Sequence, residues 1–264
     1  MKAKIKRIGI IGCGAIGSRL ALYIDKKLSC FANVVALCDI DSIKAKELSF
    51  KIKSHPKVLS IENLIKQCDL IIESASVGIS FTIVKTALKL NKDALVMSVG
   101  GLVKKELFSL LKNSKGVLYV PSGAIAGIDA IKAAHLYDLK RITLTTYKPL
   151  RGLRGSLGKD KITKEQVIFK GSVKMAVKKY PKNINVAATL ALAVRDFDKV
   201  RVKIITGPKI KRNSHKIFVE SKAADLYTQT FNIPCPDNPK TSFLAVLSAQ
   251  MLLEHIFSNF KIGS

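Results

Sequence analysis

The sequence predicts an α/β chain: an N-terminal parallel sheet wrapped on both faces by helices, then a second unit of α+β type built on a mixed sheet. Three observations predict it. Over the first 120 residues strand-like and helix-like patterns alternate, as they do where helical crossovers join parallel strands. The apolar stretch Ile8-Gly9-Ile10-Ile11 runs straight into Gly12-Cys13-Gly14-Ala15-Ile16-Gly17 and then into a helix-like segment. Past Gly127 the texture changes to β-branched, alternating runs with few crossovers, which suggests mostly antiparallel pairing.

The elements follow in order. Strand Ile5 to Ile11 precedes a helix from Ser18 to Leu28, strand Val34 to Leu37 and a helix from Ser42 to Lys53. A short helix, Ile61 to Gln67, leads to the apolar strand Leu70 to Glu73. Thr82 to Leu90 reads as the next helix, with Ala94 to Ser98 and Val117 to Val120 as strands. In the second unit Ile142 to Tyr147, Val200 to Ile205 and Lys216 to Val219 read as strands, and Ala187 to Val194 as a helix between them. Leu150 to Lys164, rich in Gly, Arg and Lys, reads as a surface loop. Thr241 to Phe257 reads as a long apolar helix. The expected organisation is a nucleotide domain over 1–120, a substrate domain over 121–239, and a C-terminal helix, 240–258, that packs back on the first.

The strand, the G-x-G-x-x-G loop and the helix together predict a dinucleotide site of Rossmann type. Gly12 allows the tight turn, Gly14 lets backbone approach a pyrophosphate, and Gly17 lets the helix lie on the strand. Ala15 and Ile16 share the helix start, whose free N–H groups face the anion. Asp39 follows the second strand, 22 residues past Gly17, near the spacing of about 20 for the acid that takes the ribose hydroxyls. It favours NAD over NADP, and nearby lysine leaves dual use open. Ligands of such sheets sit beyond the carboxyl ends of the strands, so Glu73 to Ser76, Ser98 to Gly101 and Pro121 to Ala124 are expected to look toward the cofactor, Ser76 among them.

At 264 residues and 48% hydrophobic content the chain can build a substantial core, and no apolar run reaches the roughly 18 residues of a membrane span. The basic start, Met1 to Arg7, lacks the features of a signal peptide, so a cytoplasmic location is expected. Five cysteines form no C-x-x-C pair, which points to reduced thiols and to no metal site. The formal charge of +26 invites a nucleic-acid reading. The basic residues are spread along the chain and Trp is absent, so no specific nucleic-acid partner is expected. Steering of anionic ligands and a general lysine bias both remain readings of that charge.

Three features carry possible chemistry in the second unit. Asp237-Asn238-Pro239-Lys240-Thr241-Ser242 reads as an Asn cap with Pro at the first helical position, either plain capping or an anion site supplied by Lys240 and Thr241. Asn185 reads as the cap of a small-residue helix. Of the histidines, His55, His135 and His255 occupy a loop, a helix end and an apolar helix. His215, after Arg212-Asn213-Ser214 at the mouth of a strand, has polar neighbours that could orient it for proton transfer.

Taken together, Gly12 to Gly17, Pro121-Ser122-Gly123-Ala124-Ile125-Ala126-Gly127-Ile128-Asp129, Asn185-Val186-Ala187-Ala188, Asn213-Ser214-His215 and Asp237 to Ser242 resemble the L-aspartate dehydrogenase family over nearly the full length. The resemblance implies a Rossmann domain, a mixed-sheet domain for catalysis and dimer contact, and oxidation of L-aspartate to iminoaspartate with NAD or NADP, feeding NAD synthesis. It places the catalytic histidine on His215 and cofactor contacts on Ala124 and Asn185. It implies a homodimer, with aspartate held between the domains. Glu220 to Leu226 departs from the glycine and phenylalanine common in the family. The alternatives are a Rossmann reductase of homoserine dehydrogenase or dihydrodipicolinate reductase type, and a non-catalytic NAD(H)-binding sensor.

Overall fold

The computed structural model describes residues 5–153, 162–181 and 184–263. Most of the expected Gly, Arg and Lys-rich loop, 154–161, lies outside the described residues.

A parallel sheet forms the first of two compact units, made of the chain up to Pro121 together with Ala249–Lys261. Its strands are β1 (Lys6–Ile11), β2 (Ala32–Cys38), β3 (Lys57–Val58), β4 (Leu70–Glu73), β5 (Asp93–Val96) and β6 (Leu118–Tyr119), in the order β3-β2-β1-β4-β5-β6. Each neighbouring pair is parallel. Helices α1 (Ala15–Lys27), α2 (Ser42–Lys51), α3 (Ile61–Gln67), α4 (Val77–Lys89) and α5 (Glu106–Lys112) make the crossovers. Leu70, Ile71 and Ile72 of β4 are all fully buried, as expected of a strand covered on both faces. Gly9 lets α3 close on β1, since a Cβ there would lie 2.4 Å from Leu64 Cδ2.

Side chains fix the helix starts that sequence locates well. Asp41 caps α2 by accepting from Ile43 N at 3.1 Å. Two helices begin earlier than their patterns suggest: α1 at Ala15 rather than Ser18, and α4 at Val77 rather than Thr82. In both cases glycines in the first turn resemble loop, while the tertiary fold holds them helical.

The second unit comprises Ser122–Ser248 with the chain from Ile262 onward. It contains α6 (Ile128–His135), β7 (Leu139–Lys148), β8 (Gln166–Ser172), α7 (Val173–Lys179), α8 (Asn185–Ala193), β9 (Val200–Thr206), β10 (Ser214–Ser221), β11 (Leu226–Phe231), β12 (Pro234–Cys235) and β13 (Asn238–Ser242). Five strands pair in the order β11-β10-β7-β9-β8. β7 and β9 run parallel, and the other neighbours antiparallel. The turn after β10 manages without glycine: Ser221 Oγ accepts from Ala224 N at 3.0 Å and donates to Ala224 O at 2.7 Å.

The last helix, α9 (Phe243–Phe257), starts in the second unit and ends in the first. Within the first unit Ala249 and Leu253 join the core around Ile8, Ile10, Leu20 and Ile24. Tyr23 donates to the Glu254 carboxylate, and Phe257 stacks on Phe31 at 6.3 Å between ring centroids. Among the described residues no helix is long and apolar enough to cross a membrane.

Candidate active site

In the first unit the strand order reverses at β1: β2 and β3 lie to one side, and β4 to β6 to the other. The loops that leave the carboxyl ends of β1 and β4 therefore diverge and open a crevice. The glycine loop stands at that point. Gly12 has φ of 95°, a left-handed conformation that side chains resist. A Cβ on Gly12 would fall 2.5 Å from the Ser74 carbonyl carbon, and one on Gly17 would fall 1.9 Å from Gly12 O. Ser74 Oγ ties the two loops by donating to Gly12 O at 2.7 Å.

Gly14 differs from both. A Cβ there would meet no heavy atom within 4 Å, although the residue stands between two glycines that have no room at all. It is also the residue before α1, with no side chain capping the helix and no acid in its first turn. The backbone of Gly14, Ala15, Ile16 and Gly17 thus forms an open cradle at the positive end of a 13-residue helix, the arrangement that binds pyrophosphate. Asp39 follows β2 beside it. One carboxylate oxygen accepts from Cys13 N at 2.6 Å and the other from Asp41 N at 2.9 Å, so the acid is locked against the rim of the loop.

Glu73 gathers the neighbouring turns. It is 0% exposed and accepts from Ala75 N at 2.9 Å and Ser98 N at 3.0 Å. Burial raises its pKa, while the N–H donors of Ser98, Ala75 and Ser76 oppose the rise. The carboxylate joins the turn after β4, which carries Ser76 at the start of α4, to the turn after β5. The residues of this unit fit a dinucleotide: an open glycine cradle, a helix start without acids, and an acid at the end of the second strand.

In the second unit the even-numbered residues of β7 from Ile142 onward, Ile142, Leu144, Thr146 and Lys148, are buried and share a face. Ile217 pairs with Leu144, and His215 pairs with Thr146. On the other side Val202, Ile204 and Thr206 of β9 pair with Leu144, Thr146 and Lys148. An apolar face therefore becomes polar over its last two rows, where Thr146, His215, Lys148 and Thr206 meet. His215 is 6% exposed and its Nδ1 lies 3.0 Å from Thr146 Oγ1. Burial, and then the charge of Lys148, lower its pKa to about 3, so the ring is neutral near neutral pH. Burial lowers Lys148 to about 8.

The unfolded histidine titrates near 6.5 and the folded one near 3. Between these values the unfolded chain binds the extra proton, so stability falls as pH drops through the window, by at most about 1.4 kcal/mol per unit. Denaturant midpoints taken from pH 6.5 downward should fall more steeply for the wild type than for His215→Ala. Equal slopes would show that His215 is protonated in the folded chain.

The remaining expected residues separate. The carbonyl of Ala124 accepts from Thr230 Oγ1 at 2.9 Å and Asn232 Nδ2 at 3.1 Å, which clamps the Ser122 to Gly127 segment on β11. Asn185 is not a cap: Ile184 occupies that position and Asn185 is the first residue of α8. Lys240 and Thr241 are not at a helix start either. They lie in β13, where Pro234 pairs with Ser242 and Cys235 with Asn238. Asn238 Nδ2 donates to Thr241 Oγ1 at 3.2 Å instead of capping. Pro239, lacking an N–H, suits this short two-stranded pairing as well as it suits a first turn. The side chain of Lys240 lies outside the described residues. Lys148 and Thr146 carry no sequence signal, and only the strand register brings them to His215.

Comparison with known proteins assigns the two halves. Residues 12–121 match a family described as homoserine dehydrogenase, NAD binding domain, and residues 129–256 match aspartate dehydrogenase, C-terminal. An L-aspartate dehydrogenase of Methanosarcina acetivorans is 42% identical over 98% of this chain and 99% of its own length. One of Methanocella arvoryzae is 38% identical over the same shares. The crystal structure of aspartate dehydrogenase from Thermotoga maritima superposes with a TM-score of 0.79 at 26% identity, covering 98% of this chain and 100% of that one. Full-length identity of this order, on a dinucleotide cradle and a second domain of matching kind, means that the chain belongs to the L-aspartate dehydrogenase family, oxidoreductases that use NAD or NADP.

Proposed function

We propose that this protein oxidises L-aspartate to iminoaspartate, which hydrolyses to oxaloacetate and ammonia, and that the imine feeds pyridine-nucleotide synthesis. The observation that carries the reading is the 42% identity to an L-aspartate dehydrogenase across 98% of the chain. A bound nicotinamide supplies the hydride acceptor. The cradle from Gly12 to Gly17 holds the pyrophosphate, Asp39 takes the ribose hydroxyls, and Ser76, Ala124 and Asn185 complete the cofactor contacts.

His215 acts as the base. Nδ1 lies within hydrogen-bond distance of Thr146 Oγ1, and in the tautomer with the proton on Nδ1 the Nε2 lone pair is the acceptor. The substrate ammonium must lose a proton before hydride can leave Cα, and Nε2 takes that proton directly or through a water. In the reverse direction the imidazolium returns it. A homodimer belongs to the same reading, supported by Tyr227 and Phe231, which stand 63% and 56% exposed on β11.

Asp39 sets the cofactor, because a carboxylate at the ribose repels a 2′-phosphate. Asp39→Ser should shift the ratio of kcat/KM for NADP over NAD upward by roughly tenfold or more. An unchanged ratio would remove Asp39 from cofactor choice. The activity itself is tested by consumption of NADH with oxaloacetate and ammonium. Loss of signal on omitting ammonium supports reductive amination, and turnover without ammonium would indicate a hydroxy-acid dehydrogenase instead.

A further inference from the structure

Lys148 stands where an apolar residue would cost less. It ends the inward face of β7 after Ile142, Leu144 and Thr146, keeps 8% of its surface exposed, and belongs to the same buried face as His215. Lysine is rarely buried, because an ammonium leaves water at a cost that packing does not return. The face opposite carries the charges expected at a surface: Lys216 lies there with its ammonium 5.5 Å from the Tyr147 ring centroid. A buried lysine therefore lies one row along the same face from the imidazole of His215.

We propose that Lys148 receives a carboxylate of the substrate. The inference rests on His215 serving the substrate amine, as proposed above, and it supplies a carboxylate partner that Lys240 and Thr241, placed in β13, no longer provide at a helix start. The arrangement also couples binding to chemistry. Burial, and after it the Lys148 charge, hold His215 weakly basic. A carboxylate paired with that charge cancels the Lys148 part of the effect, so His215 becomes a better base when the substrate is in place.

The test compares wild type with Lys148→Met, which keeps the length and removes the charge, with Lys148→Gln read alongside and Lys148→Arg as the conservative variant. The binding probe is succinate, a dicarboxylate without an amine, titrated by calorimetry into enzyme holding NADH. Loss of a charge-assisted pair should weaken succinate roughly 10- to 100-fold and raise KM for L-aspartate by a similar factor. Affinity for NADH should stay within about twofold, and Lys148→Arg should recover most of the succinate affinity.

Wild-type succinate affinity and wild-type KM in both neutral variants would overturn the proposal. So would neutral variants that melt lower and lose NADH and succinate together, since that pattern belongs to a structural lysine. If the wild type fails to turn over L-aspartate but binds succinate through Lys148, the aspartate reading fails and the carboxylate site stands. A wild type that binds no succinate and turns over no aspartate sinks both.

Discussion

Replacing His215 with alanine should lower turnover of L-aspartate roughly 100-fold or more, while affinity for NADH stays within about twofold. The size follows from the role: a positioned base typically contributes about 10²- to 10⁴-fold, and water left in its place is a poor substitute. The selectivity follows from location. His215 sits on β10 of the second unit and bonds to Thr146, whereas the glycine cradle and Asp39 belong to the first. Alanine leaves the β10 register with β7 intact, because the pairing there is backbone to backbone. Turnover equal to wild type would remove His215 from the reaction. Loss of NADH binding along with turnover would make it part of the fold instead.

Alanine at Gly14 and alanine at Gly17 should fail in opposite ways. At Gly17 the new methyl would lie 1.9 Å from the Gly12 carbonyl oxygen and 2.6 Å from Ser74 Oγ. Gly12 is itself fixed at φ of 95°, so the backbone cannot yield cheaply. A cost of several kcal/mol and a fall in melting temperature of about 10 °C are expected. At Gly14 the methyl meets nothing within 4 Å and φ is −72°, so the melting temperature should hold within a degree or two. The space it fills is where a pyrophosphate must approach the backbone, and NADH affinity should weaken by roughly tenfold or more. A Gly14→Ala protein that binds NADH as tightly as wild type would show that the cofactor does not pass over this loop.

The contrast between these glycines shows how much the sequence carries. Spacing alone identifies Gly12, Gly14 and Gly17 and the acid after β2, because strand, turn and helix are local and contiguous. It does not distinguish the two crowded glycines from the open one, which depends on Ser74 arriving from β4. The strand Leu70–Glu73 is legible because an unbroken apolar run suits a strand buried on both sides. β11 is not, because its residues are mostly half-buried and alternate only weakly.

The segment from Asp237 to Ser242 is misread for a related reason. Asn followed by Pro starts helices and also suits tight strand ends, and the pairing with Pro234 and Cys235 decides between them. Lys148 is the plainest case. A lysine closing a strand resembles an ordinary surface residue, and its burial follows from the register that sets Thr146 against His215 and Thr206 against Lys148. The cradle of the first unit is thus written in one stretch of chain, while the polar end of the second unit's buried face is assembled from three strands far apart in sequence.

The decisive experiment is the rise in absorbance of reduced nicotinamide when the purified protein is given NAD⁺ and L-aspartate, with D-aspartate, L-glutamate and L-homoserine in parallel. Reduction with L-aspartate and not with the other three is the expected result. Reduction with L-homoserine alone, or none with any of the four while NADH still binds, would contradict assignment of the chain's activity to L-aspartate.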